Sequence, residues 1–320
     1  MYHDAMKKRL GFPSFPSATT CGRAGARLLL LPPLMAALSA ASPPPRPLGP
    51  AEIVAKAPPS AWAAVPDEDL LLLDLDDGQR VAIALAPAFA PVHVANIRAL
   101  ARAGWFVGIT INRVQDNYVT QWGDATEKKT LPAGIAAQPP AEYERALGGL
   151  AFRPMAYRDA YAGKTGHAGG WAVASDGKLA WLPHCYGMVG VGRGLAPDTG
   201  SGAELYAVIG HGPRHLDRNI ATVGRVLAGM EALSALPRGT EALGFYRQGA
   251  ARPAIVHAHI AADLPAAERP RFEIMRSDSA DFASWLAARA NRKDDFFIRP
   301  AGALDICNAL PPARPAPSRN

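Results

Sequence analysis

The segment Ile111-Asn112-Arg113-Val114-Gln115-Asp116-Asn117-Tyr118-Val119-Thr120-Gln121-Trp122-Gly123-Asp124 decides how this chain is read. A strand-like run from Ile109 to Val114 carries an arginine, Arg113, near its end. Five residues further on stands an aromatic, Tyr118, three after that comes Gln121, and Gly123-Asp124 closes the stretch.

Upstream, Leu70-Leu71-Leu72-Leu73-Asp74-Leu75 reads as a strand and Asp76-Asp77-Gly78 as a turn. Arg80–Leu85 is a second strand, with Val81, Ile83 and Leu85 on one face, so the two form a hairpin. Pro91 opens a helix, where its missing N–H costs nothing. Val92–Arg102 is rich in helix formers and stops at Gly104, a C-cap candidate.

Downstream, residues 125–181 look irregular. Lys128-Lys129, Pro139-Pro140 and Gly163, Gly166, Gly169 and Gly170 suggest loop, with a helical turn at Ala141–Leu147. An insert of this size without structure of its own is usually functional or decorative. Pro253–Ala261 supplies a last strand. Residues 263–320 form an extension. In it Asp281–Ala290 is an amphipathic helix with Phe282, Trp285 and Leu286 on one side, and Pro311–Asn320 is expected to be disordered.

The 320 residues can hold one large domain or two average ones, and 49% hydrophobic against 19% charged residues indicates a globular chain. The net charge of +6 hints at an acidic partner. Its source is the N-terminus. Arg23 and Arg27 precede an apolar run, Leu28–Leu38, followed by the small residues Ser39, Ala40 and Ala41. This is the layout of a signal peptide over residues 1–41, and the apolar run is far shorter than the roughly 20 residues a bilayer span needs. An apolar N-terminal tail or a membrane anchor is the alternative. Cleavage after Ala41 removes five of the 34 basic residues and one of the 28 acidic ones, leaving 29 against 27. No nucleic-acid footprint is then expected, nor stable membrane insertion, and the protein is expected in the periplasm or outside the cell. Residues 42–66 read as a Pro/Ala-rich linker, stiff at Pro43-Pro44-Pro45-Arg46-Pro47. Cys185 and Cys307 are the two cysteines beyond Cys21 of the signal, and either pair in a disulfide or stay as separate buried thiols.

The opening segment resembles the cyclophilin signature Phe-His-Arg-x-x-x-x-Phe-x-x-Gln-Gly-Gly-Asp. Three further motifs follow the family order. Leu182-Pro183-His184 through Gly192-Arg193 is similar to Leu-x-His-x-x-x-Gly-x-Leu-Ser-Met-Ala-Asn. Pro197 to Tyr206 is similar to Pro-Asn-Thr-Asn-Gly-Ser-Gln-Phe-Phe, with one residue inserted. Leu216-Asp217, Val223-Gly224-Arg225-Val226 and Gly229-Met230 are similar to Leu-Asp, Phe-Gly-x-Val and Gly-Met. Ala86-Pro87 to Asn96-Ile97 also resembles the family's approach to its first helix. The resemblance spans about Leu70 to Ala262 and implies a mainly β fold, a closed antiparallel barrel with a few packed helices, over residues 67–262.

The resemblance also implies a reaction, cis/trans isomerisation of X-Pro bonds in proline-containing polypeptides, assisting the folding of exported proteins without cofactor or metal. Such bonds resist rotation by about 18–20 kcal/mol. Arg113 is implied as the donor to the prolyl nitrogen and Gln121 as its catalytic partner. Tyr118, Val119 and Tyr206 are implied to form the proline pocket, with Arg193, Glu204 and His215 also binding substrate. Departures are visible: Asn112 stands for a histidine, Gly192-Arg193 for Ala-Asn, Glu204 for a glutamine, His215 for a tryptophan or histidine, and Ile220 for a histidine. Glu204 beside Arg113 keeps an alternative open, a weak or inactive cyclophilin-like module that binds proline segments or a protein partner.

Other motifs fail. A dinucleotide fingerprint from Gly190 needs a glycine at position 195, which is leucine. His211 and His215 are separated by Gly212-Pro213, which breaks any helix, and Ser201 is not in a nucleophile elbow. His257 and His259 share one strand face without further ligands nearby.

Overall fold

The computed structural model describes residues 46–211, 213–294 and 296–317. The signal peptide expected over residues 1–41 lies outside them. Eight strands form one antiparallel sheet: β1 (Leu70–Leu75), β2 (Arg80–Leu85), β3 (Thr110–Val114), β4 (Val119–Gly123), β5 (Met188–Val191), β6 (Leu205–Val208), β7 (Thr222–Ala228) and β8 (Ile255–Ile260). Their spatial order is β8-β1-β2-β7-β5-β6-β4-β3. The end strands meet as well. Gly108 N donates to Ile255 O at 2.8 Å, Ile255 N to Ile109 O at 2.8 Å and Ile111 N to Pro253 O at 2.9 Å, so the barrel is nearly closed.

Period-2 alternation fills this barrel. Leu71, Leu73, Leu75, Val81, Ile83 and Leu85 of the hairpin point inward, with Trp122, Val189, Val191, Leu205 and Val223. The run of four leucines exceeds what one face needs. Leu70 and Leu72 point outward and are buried with Ala82 and Phe272. The outer face of β1 is therefore covered by the C-terminal extension. Helices are α1 (Pro50–Lys56), α2 (Pro91–Arg102), α3 (Met230–Ser234) and α4 (Ala280–Ala290). Val94, Ile97 and Leu100 of α2 join the barrel core.

The insert is not irregular. Lys164–Ala168 and Trp171–Ser175 form a hairpin, and Arg145–Ala146, Arg153–Pro154 and Leu179–Trp181 complete a five-stranded sheet. Gly169 and Gly170, read as loop, make its turn with φ of 56° and 84°. The helical turn expected at Ala141–Leu147 is replaced by the short strand at Arg145–Ala146. Glu142 of the insert caps α2 from a distance, accepting from Val92 N at 2.9 Å and His93 N at 3.0 Å.

Both ends of the described chain are also structured. Trp62–Ala64, expected in a linker, pairs with Phe272–Met275, which pairs in turn with Ala313–Pro315. Ala313–Pro315 falls in the stretch expected to be disordered. Backbone pairing to Phe272–Met275 orders it where composition alone argued otherwise. Ser279 caps α4 through Phe282 N at 3.1 Å, and Phe282 and Trp285 pack with Ile53, Trp62 and Met275. Cys185 and Cys307 are bonded, S–S 2.01 Å, tying the extension to the loop before β5.

His167, on the insert, fixes the extension a second way. Its Nε2–H donates to Ala309 O at 2.7 Å. Burial holds its pKa down at about 4, against the partly opposing bond to Ala309. The unfolded ring titrates near 6.5, so the unfolded state takes up the proton first as pH falls. Stability is full above pH 6.5 and is expected to decline by about 3 kcal/mol between pH 6.5 and 4, with no further loss from this group below. Denaturant unfolding of wild type and His167→Gln across that window checks it. The variant should show a shallower decline.

Candidate active site

The site begins with a register. Gly190 on β5 pairs with Tyr206 on β6, Tyr206 with Gln121 on β4, and Gln121 with Arg113 on β3. Residues directly opposite each other across a ladder project from the same face. Tyr206, Gln121 and Arg113 therefore form one outward row, about 4.8 Å from strand to strand. A bulge between Ile111 and Arg113 lets Ile111 and Val114 both enter the core while Arg113 points out.

Next to the row lies a small apolar cluster outside the barrel core. Val119, Tyr206 and Val208 are buried there, with Tyr118, Leu216 and Ile220 packed on them. Tyr118 stacks on His215 at 5.8 Å between ring centres, and its hydroxyl lies 3.2 Å from His215 Nε2. The residues expected to form a proline pocket are thus assembled together.

Arg113 is held at each of its three nitrogens. Nε donates to Leu243 O at 2.7 Å, Nη1 to Gln121 Oε1 at 3.1 Å and Nη2 to Gln115 Oε1. Its Cζ lies 5.4 Å from the Tyr118 ring centre and 5.5 Å from that of Phe245. Burial lowers its pKa, and the phenols and the Glu204 carboxyl oppose that shift. A guanidinium has five N–H donors, so two remain for a substrate after these three bonds.

Glu204 does not pair with Arg113 among the described ion pairs. Gln121 stands between them, its Nε2 donating to Glu204 Oε1 while its Oε1 accepts from Arg113. The Glu204 stem lies between Gly123 and Gly192. Burial pushes its pKa above the usual carboxylate value, against the bond from Gln121. Arg193 folds back instead of reaching over the row: its Nε and Nη2 donate to Asn219 O at 3.1 and 3.0 Å. Asn112 serves the strands, donating to Gly123 O at 2.8 Å and accepting from Arg252 at 3.1 Å.

Tyr206 also leads inward. At Gly190 a Cβ would stand 2.3 Å from its ring, so only glycine lets the ring lie down on β5. The hydroxyl then reaches His184 Nε2 at 2.8 Å. His184 Nδ1–H donates to Asp217 at 3.0 Å, which leaves Nε2 of the neutral ring to accept the tyrosine proton. Asp217 also accepts from Arg214 Nε at 2.6 Å, and Arg214 donates to Asp159 of the insert at 2.9 and 3.0 Å. Burial alone would raise the Asp217 pKa, but His184 and Arg214 hold it below the ordinary value. This chain was not singled out in the sequence. The signal was there: a tyrosine in place of a buried phenylalanine needs a partner for its hydroxyl.

The network sets two costs. Tyr206→Phe leaves the buried His184 nitrogen without its donor and is expected to cost about 1–3 kcal/mol. Asp217→Asn removes the charged acceptor shared by His184 and Arg214, leaving Arg214 paired with Asp159, and is expected to cost more, about 3 kcal/mol. Urea unfolding of both variants at pH 7 checks the order.

Comparisons with known proteins bear on the fold and the family. The family model for cyclophilin type peptidyl-prolyl cis-trans isomerase/CLD matches residues 71–257. The chain is 27% identical over 183 residues to a "Probable peptidyl-prolyl cis-trans isomerase" of Brucella suis biovar 1 (strain 1330), covering 57% of this chain and 78% of that protein. The same figures hold for the protein of that name from Brucella abortus (strain 2308). The crystal structure of cyclophilin AquaCyp293 from Hirschia baltica superposes with a TM-score of 0.63 at 25% identity, covering 82% of this chain and 96% of that one. With a barrel of this topology and a match over more than half its length, the chain belongs to the cyclophilin-type peptidyl-prolyl cis-trans isomerase family.

Proposed function

We propose that this isomerase acts on exported polypeptides and that Arg113 lowers the rotation barrier of their X-Pro bonds. Amide resonance is lost midway through rotation, and the prolyl nitrogen gains a lone pair. The proline ring rests on Val119, Tyr206 and Val208, with Tyr118 and Ile220 at its sides. An N–H of Arg113 donates to the nitrogen as its lone pair develops. Gln121 holds the guanidinium in place, and its remaining N–H meets the substrate backbone. A cation fixed before the reaction needs no reorganisation during it, and such preorganised charge is usually the largest single contribution to catalysis. The observation that carries this reading is the guanidinium itself, clamped by Leu243, Gln121 and Gln115 beside an apolar cluster, with two donors left over.

A groove that binds without catalysing is the competing reading. It rested on Glu204 pairing with Arg113, and the Gln121 bridge between them disfavours it. Export is supported by the Cys185–Cys307 bond, since disulfides persist in oxidising compartments, and by the signal-like N-terminus. No helix among the described residues is long and apolar enough to cross a membrane. Intact mass of the protein from a periplasmic extract tests export. A chain beginning at Ser42, directly after Ala41, fits; a full-length cytoplasmic chain sinks it.

Exchange NMR on a short X-Pro peptide reads the catalytic role. Arg113→Ala is expected to lower kcat/KM by about 10²–10³. Above its raised pKa the Glu204 carboxylate dampens the cation, so there Glu204→Gln is expected to raise kcat/KM about two- to tenfold, near 1 kcal/mol of barrier. Acid should do the same to wild type. As pH falls through the raised pKa of Glu204, the carboxylate becomes neutral and the wild-type rate should climb toward that of the variant, which stays flat in that window.

A further inference from the structure

The outward row does not stop at Arg113. Phe245 bridges to Arg113 as the next strand would, and Tyr246 N donates to Asn112 O at 3.0 Å and Gly239 N to Val114 O at 2.9 Å. The segment 239–246, between α3 and β8, thus adds a short edge beside β3. It places Phe245 as the fourth side chain of the series Tyr206, Gln121, Arg113, Phe245.

Three features mark this segment as built rather than incidental. Leu243 has a φ of 58°, uncommon for any residue but glycine, and its carbonyl is the acceptor for Arg113 Nε at 2.7 Å. Gly244 follows with a φ of 79°, and a Cβ there would stand 2.6 Å from the Cα of Gln115, so the turn lies flat against the end of β3. Leu243 is 65% exposed, and Phe245, whose ring centre lies 5.5 Å from Arg113 Cζ, is 39% exposed. Leaving two large apolar side chains partly in water forgoes the gain of burying them. A ligand that covers them recovers part of it.

We propose that Leu243 and Phe245 form a second side-chain subsite, which takes a bulky apolar residue within two positions of the substrate proline. The Phe245 ring centre lies 5.5 Å from Arg113 Cζ, and an extended peptide advances about 3.3 Å per residue, so a side chain one or two residues from a prolyl nitrogen bonded to Arg113 spans that distance. The enzyme then prefers X-Pro segments flanked by aromatic or branched aliphatic residues, such as unfolded chains expose. The proposal rests on the reading of the Arg113 groove as the isomerisation site.

Exchange NMR with the purified protein tests it on Ala-Ala-Pro-Ala and on variants carrying Phe or Leu before or after the proline. Wild type is expected to favour a bulky peptide by about tenfold in kcat/KM. In Phe245→Ala that ratio should fall toward one, and Phe245→Leu should keep most of it. An equal loss on all peptides would mean that Phe245 only positions Arg113, and would overturn the subsite. So would a wild type without preference. If wild type turns over no peptide, the isomerisation reading fails separately, and amide-shift titrations with the same peptides decide the subsite. Tighter binding of the bulky peptides, lost in Phe245→Ala, upholds it; equal binding overturns it.

Discussion

Everything at the site depends on one constraint, the alternation of side chains along strands locked in a nearly closed ladder. β4, β5 and β6 each send one residue into the core for every one they send out, and the bulge in β3 keeps Ile111 and Val114 in and Arg113 out. Trp122, Val191, Leu205 and Ile111 go in. Gln121, Gly190, Tyr206 and Arg113 go out in register. A slip of one residue in β3 would bury a guanidinium, and one in β4 would expose a tryptophan. The core therefore fixes the groove, and the barrel's closure against β8 fixes the core.

The parts outside the barrel are connected to that groove rather than appended to it. Asp159 of the insert reaches Tyr206 through Arg214, Asp217 and His184. Cys185, next to His184, is bonded to Cys307 of the extension. Phe272 covers the outward leucines of β1. These links give the insert and the extension a physical reason to fold with the barrel.

Much of this was legible in the sequence, for identifiable reasons. The β1–β2 hairpin and α2 follow from local rules, an Asp-Gly turn and a proline at the first helical position. Arg113, Tyr118 and Gln121 sit within nine residues of each other, so one ladder brings them together. The insert's sheet is hard to read from sequence because its glycines serve a hairpin turn and its strands are short. The order of Ala313–Pro315 comes from a partner strand about 40 residues away, which composition does not reveal. Leu243 and Phe245 were out of reach for the same reason, lying about 130 residues from Arg113.

The most direct measurement is a crystal structure of the protein with a bound proline-containing tetrapeptide. The account requires the proline ring against Val119 and Tyr206, and a guanidinium nitrogen of Arg113 about 3 Å from the prolyl nitrogen or its amide. A peptide seated elsewhere, or a proline in the pocket with Arg113 turned away from it, would contradict the account.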